Sequence, residues 1–111
     1  MINRKIPGRV RDLMGELKEH MARMYSQNLK GVYLYGSYAR GKEEVGLDVD
    51  VLVVLGRIES YSAEIDRTGE IASDLSLKYD LSISRVFVDR ENWQEGDTPF
   101  LRRVRQEAIK I

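Results

Sequence analysis

Residues 47–55 read LDVDVLVVL, an apolar run broken near its start by two acids at alternating positions. Its β-branched content makes it the strongest strand in the chain, and Gly56 ends it. Residues i and i+2 of a strand share a face and stand ~6.6 Å apart. Asp48 and Asp50 therefore project together, while Leu47, Val49 and Val51 face the other way. Two unpaired carboxylates on one face repel and raise each other's pKa. A divalent cation between them removes that repulsion. Mg²⁺ suits the arrangement, because it is held by one or two carboxylates plus phosphate oxygens and water.

A second stretch, GSYARG at residues 36–41, supplies complementary chemistry. It follows a short β-rich run, VYLY (32–35), and Gly36 lets the backbone approach a ligand closely. The N–H of Gly36, the next N–H and the Ser37 hydroxyl can all donate to a phosphate. If SYAR begins a helical turn, its N-terminus adds potential favourable to an anion. Arg40 either neutralises phosphate or pairs with Glu43 or Glu44. A phosphate cradle beside a carboxylate pair is a geometry for a metal–nucleoside triphosphate.

GSYARG, then six residues, then DVD opening an apolar strand, resembles the motif of the nucleotidyltransferase superfamily with the polymerase-beta-like fold. The order of elements is most similar to the minimal, single-domain branch, often called MNT. That resemblance implies a Mg²⁺-dependent transfer of a nucleoside monophosphate, AMP from ATP, to a hydroxyl acceptor with release of pyrophosphate. Gly36, Ser37 and Arg40 would hold the triphosphate, and Asp48 and Asp50 would bind two Mg²⁺ ions. A third acid on the next strand, which in such enzymes helps activate the attacking hydroxyl and completes the metal set, is matched best by Asp80, at the head of DLSISRVFV. One position departs from the family pattern: Leu47 stands where members usually carry a Ser. That removes a hydroxyl near the site, not a metal ligand.

The resemblance also implies a partner. Minimal domains of this kind are commonly encoded with a HEPN-domain protein and act as its antitoxin, with a tyrosine hydroxyl of that partner as acceptor. A chain of 111 residues leaves no room for the extra substrate domain of larger nucleotidyltransferases. The alternative is a catalytically weak module of the same fold that neutralises or scaffolds a partner by contact.

Elsewhere the chain reads as one small domain. Apolar residues Val10, Leu13, Met14, Leu17, Met21, Met24 and Tyr25 fall at helical spacing, which predicts an amphipathic helix over 8–27. Ser60 or Ser62 caps a second helix with an apolar face of Tyr61, Ile65, Ala72, Leu75 and Tyr79. Residues 80–88 form a third strand. Thr98-Pro99 starts a last helix, with Thr as N-cap and Pro at the first position. The fold class is α/β of α+β type, a small mixed sheet of three or more strands flanked by helices.

Composition narrows the chemistry further. No cysteine is present, which excludes disulfides, thiolate metal sites and Cys nucleophiles. The single histidine, His20, has no companion ligand and reads as a packed or surface residue. Net charge is zero, so nucleic-acid binding gains no support from it. The longest apolar stretch is too short to span a bilayer, and the basic N-terminus lacks a secretory apolar core. A cytoplasmic location is expected.

Overall fold

The structure, a computed structural model, describes residues 6–41 and 48–111. Helix α1 (Gly8–Tyr25) leads through a 3₁₀ turn (Ser26–Asn28) into strand β1 (Leu29–Tyr35). Strand β2 (Val49–Leu55), helix α2 (Tyr61–Tyr79) and strand β3 (Ile83–Asp89) follow. Helices α3 (Arg90–Glu95) and α4 (Pro99–Glu107) and a short strand β4 (Ile109–Lys110) complete the described residues. The sheet order is β3-β2-β1-β4. β1 runs antiparallel to β2 and β4, whereas β2 and β3 are parallel and joined across α2.

The apolar run of β2 is explained by its place inside the sheet. Val49, Val51, Val53 and Leu55 face one side and pack with Leu13, Met14, Leu17 and Met21 of α1. Leu52 and Val54 face the other side, with Tyr35, Val104 of α4 and Trp93 of α3. A strand covered on both faces needs apolar residues on both. Asp50 therefore interrupts a surface that is otherwise buried.

The helices follow their local signals closely. Ser60 caps α2 by accepting the Ala63 N–H at 3.3 Å, and Thr98 caps α4 by accepting the Leu101 N–H at 3.1 Å, with Pro99 at the start. α1 ends at Tyr25, before the expected residue 27, because Ser26 turns to φ 51°. β1 begins at Leu29, ahead of the expected VYLY run, and includes Gly31. The buried face of α2 carries Glu64, Thr68, Ala72 and Leu75. Glu64 enters that face because its carboxylate accepts the Tyr25 hydroxyl at 2.7 Å.

The expected strand over 80–88 is corrected to Ile83–Asp89. Asp80 is the C-cap of α2 in the left-handed conformation, φ 53°, and its N–H donates to the Ser76 carbonyl. Asp tolerates this backbone region better than most side chains do. Leu47, the expected first residue of the second strand, lies outside the described residues. His20, expected as a packed or surface residue, is partly exposed, with Nδ1 3.2 Å from the Arg23 guanidinium. No helix among the described residues is long and apolar enough to cross a membrane.

Candidate active site

Antiparallel pairing of β1 with β2 sets Tyr35 opposite Asp50, so the Gly-Ser turn leaves β1 beside the acid. Gly36 has φ +77°, and a Cβ placed on it would overlap the Asp50 carboxylate. Only glycine permits this backbone to lie against that side chain. Beyond it the chain makes a single turn, with the Arg40 N–H donating to the Gly36 carbonyl at 3.1 Å. Ser37 at its start is half-buried. Asp48 is exposed at the entrance of β2, where the Val49 N–H donates to the Ser82 carbonyl at 2.8 Å.

The electrostatics mark Asp50 as the constrained member of the pair. Its pKa is raised, first by burial and next by the Asp48 carboxylate. Glu107 pushes in the same direction, while Arg40 and Arg103 oppose it. Tyr35, its strand partner, is pushed up to about 12, again by burial first and then by Asp50. The two acids thus interact, and among the described residues Arg40 and Arg103 offset the burial of Asp50 only in part. Their oxygen-only donor set is the kind that Mg²⁺ takes.

Glu107 was not among the site residues legible in the sequence. It ends α4 and is nine-tenths buried. One oxygen accepts the Gly36 N–H at 2.7 Å, and both face the Arg40 guanidinium at 3.1 and 3.2 Å. The expectation that the Gly36 N–H aims at a phosphate is corrected here: that donor is engaged by Glu107. Arg40 pairs with the same carboxylate, while Glu43 and Glu44, its expected partners, lie outside the described residues. One signal was available, since Glu107 is the sole acid after Asp97 in a basic terminal stretch. Replacing Glu107 with Gln keeps an acceptor for Gly36 but removes the charge facing Arg40. Arg40 is partly exposed, so solvent screening limits the loss to about 1 kcal/mol. A melting temperature lower by about 5 °C is expected by thermal denaturation, and the Asp50 pKa should fall in a carboxyl NMR titration.

Asp80 does not join the pair. In the parallel register, Ser84 is the β3 residue level with Asp50, and Asp80 precedes the strand altogether. Among the described residues, no three acidic, imidazole or thiol side chains cluster as a metal-binding group. The structure therefore brings together Asp48, Asp50, Gly36, Ser37 and Arg40, adds Glu107, and leaves Asp80 at a helix end. A separate hollow of about 480 Å³ lies past the opposite end of β2, beside Arg57, Glu64 and Arg67. Glu64 and Arg67 face each other there at 3.8 Å, which accounts for their charge internally.

Comparison with known proteins gives the family and the fold. The model of the nucleotidyltransferase domain family matches residues 14–110. A protein of Methanocaldococcus jannaschii named "Putative protein adenylyltransferase MJ0141" is 36% identical over 75 residues, spanning 68% of this chain and 75% of the relative. Among solved structures, a toxin–antitoxin crystal structure with AMP-PNP superposes with a TM-score of 0.60 at 20% identity, covering 86% of this chain and 69% of that one. The tri-AMPylated Shewanella oneidensis HEPN toxin in complex with MNT antitoxin gives 0.57 at 18% identity, covering 91% and 70%. At these identities the structural likenesses establish the fold, a four-stranded mixed sheet flanked by helices.

Proposed function

The chain belongs to the nucleotidyltransferase domain family and is an enzyme of that type, and we propose that it moves AMP from ATP to a hydroxyl of a partner protein. The observation that carries this reading is the Gly36–Asp50 approach, which sets a Gly-Ser turn directly against the half-buried Asp50 carboxylate, whose pKa is raised by burial and by Asp48. Asp48 and Asp50 would hold Mg²⁺. When bound, the metal would neutralise the pair and stabilise charge developing on the α-phosphate and the leaving oxygen. The Ser37 hydroxyl and N–H, at the start of the turn, donate to the triphosphate. Arg40, which pairs with Glu107, would share its guanidinium with phosphate oxygens.

In the transfer itself, the acceptor oxygen bonds to the α-phosphorus and the bond to the β-phosphate oxygen breaks. Pyrophosphate departs and the acceptor's proton is lost to solvent. Asp80 is left out of the proposed set because it caps a helix. The protein acceptor rests on the relative named as a protein adenylyltransferase, and a HEPN-type toxin as partner rests on the complexes that share the fold. An antitoxin role, as a single domain acting in the cytoplasm, is part of the same reading.

A second reading is favoured by one observation. β3 offers Ser84, not an acid, beside Asp50, which suits a weak enzyme that acts by contact with its partner. Calorimetric titration with ATP separates the two. The enzyme reading expects binding that requires Mg²⁺ and disappears in Asp48→Asn while the fold persists. Absence of ATP binding under any condition would leave the contact module.

A further inference from the structure

A groove of about 400 Å³ opens where α4 passes β3, an outer strand of the sheet. Tyr61 at the start of α2, Val86 and Val88 of β3, Asn92 of α3 and Phe100 of α4 line it. Large apolar side chains are few on the surface of the described residues. Of the four left exposed, Tyr61 (46%) and Phe100 (37%) both face this groove. Leaving two aromatic rings wet along one hollow costs burial that the fold otherwise gains, and it marks a surface meant for another flat, apolar group.

The groove adjoins the acid pair. The Phe100 ring stands edge-on to Tyr35 with centroids 5.7 Å apart, and Tyr35 is the strand partner of Asp50. On β3, Val86 lies one strand repeat, ~6.6 Å, beyond Ser84, which is level with Asp50. The lining includes the carboxylate of Asp89 and no Lys, Arg or His, so it is unsuited to phosphate. Asp89 is itself tied to Asn92, accepting from its backbone N–H at 2.8 Å and its side-chain amide at 3.2 Å. The edge of β3 is also held: the Phe87 N–H donates to the Tyr61 hydroxyl at 3.3 Å, which orients that ring at the groove's rim.

We infer that this groove is the base subsite: Phe100 and Tyr61 pack on the nucleobase of a nucleotide whose phosphates lie on the Gly36–Ser37 turn. The inference rests on the nucleotide reading of the Gly36–Asp50 site and adds which surface grips the nucleoside half. Aromatic faces hold any base, because every base presents a π-face. The subsite supplies affinity that a bare phosphate chain cannot draw on.

The test titrates the full chain with ATP and with inorganic tripolyphosphate, both with Mg²⁺, in the wild type, Phe100→Leu and Tyr61→Leu. Leucine keeps apolar volume and removes the ring face, and circular dichroism confirms that each variant folds. Wild type should bind ATP more tightly than tripolyphosphate. Each substitution should weaken ATP about tenfold, within the range of base–aromatic contacts, and leave tripolyphosphate affinity unchanged. Equal binding of both ligands by the wild type overturns the subsite while sparing the phosphate site. So does equal weakening of both ligands in the two variants. Failure of the wild type to bind either ligand overturns the nucleotide reading, and the subsite with it.

Discussion

Asp50→Asn should abolish Mg²⁺-dependent ATP binding and at the same time raise the melting temperature at neutral pH. The two effects have one cause. Asp50 sits on the covered face of β2, where burial opposes its charged form, and Asp48 and Glu107 add negative potential. Its folded pKa therefore lies above the value in the unfolded chain. Below the unfolded pKa the carboxyl is protonated in both states and contributes no penalty. As pH rises from there through the raised folded pKa, the unfolded state releases its proton more readily, and stability is lost. Above that interval the full penalty persists, so neutral pH is where the amide gains most. Asn is nearly isosteric and uncharged, and it removes the repulsion without opening a cavity.

The functional loss is the larger part. Lewis-acid stabilisation by a bound metal is worth several kcal/mol, so losing a ligand should lower AMP transfer by about 10³-fold. Thermal denaturation with and without Mg²⁺ checks the linkage. Added Mg²⁺ should stabilise the wild type by binding the folded state, and leave Asp50→Asn unmoved. A variant that melts lower than wild type in metal-free buffer, or still responds to Mg²⁺, would falsify the metal-site assignment.

The second large effect is expected at Gly36→Ala. An Ala at φ +77° carries the left-handed penalty of about 1–2 kcal/mol. Its Cβ would also collide with the Asp50 carboxylate, which must rotate away or push β1 from β2. The same movement disturbs the Gly36 N–H bond to buried Glu107, at 2.7 Å. Together these put the destabilisation at about 3 kcal/mol, or about 15 °C in melting temperature for a chain of this size. ATP binding should be lost as well, because the displaced carboxylate is a proposed ligand. Gly41→Ala is the matched comparison: φ is +73°, but among the described residues nothing lies within 4 Å of its added Cβ. It should show the backbone penalty alone and keep ATP binding. If both variants lose binding equally, strain in the turn, not contact with Asp50, would be what matters at Gly36.

Much of this protein was legible along the chain because the relevant forces act over a few residues. The apolar run of β2, the caps at Ser60 and Thr98 and the stripe of α1 are set by side-chain periodicity and by hydrogen bonds three residues long. The expectation that Asp48 and Asp50 share a face came from the two-residue strand repeat alone; in the structure β2 begins at Val49, one residue after Asp48. Short elements were not legible. α3 has six residues and β4 two, too few for any periodicity to build up. Asp80 read as the head of a strand, yet its backbone answers to the helix before it, a choice between neighbours that local pattern leaves open.

By itself, then, the sequence determined the central strand, the acid Asp50 set into it and the glycine that ends the strand before it. Tertiary structure alone decided what surrounds them. Glu107 reaches Gly36 across 71 positions of chain, and Phe100 meets Tyr35 because α4 packs over the same sheet face. Such contacts depend on how helices close over the sheet, where burial of Val104, Leu52 and Val54 sets the distance. No spacing within the chain encodes that closure, since it is a sum of many apolar contacts between segments remote in sequence.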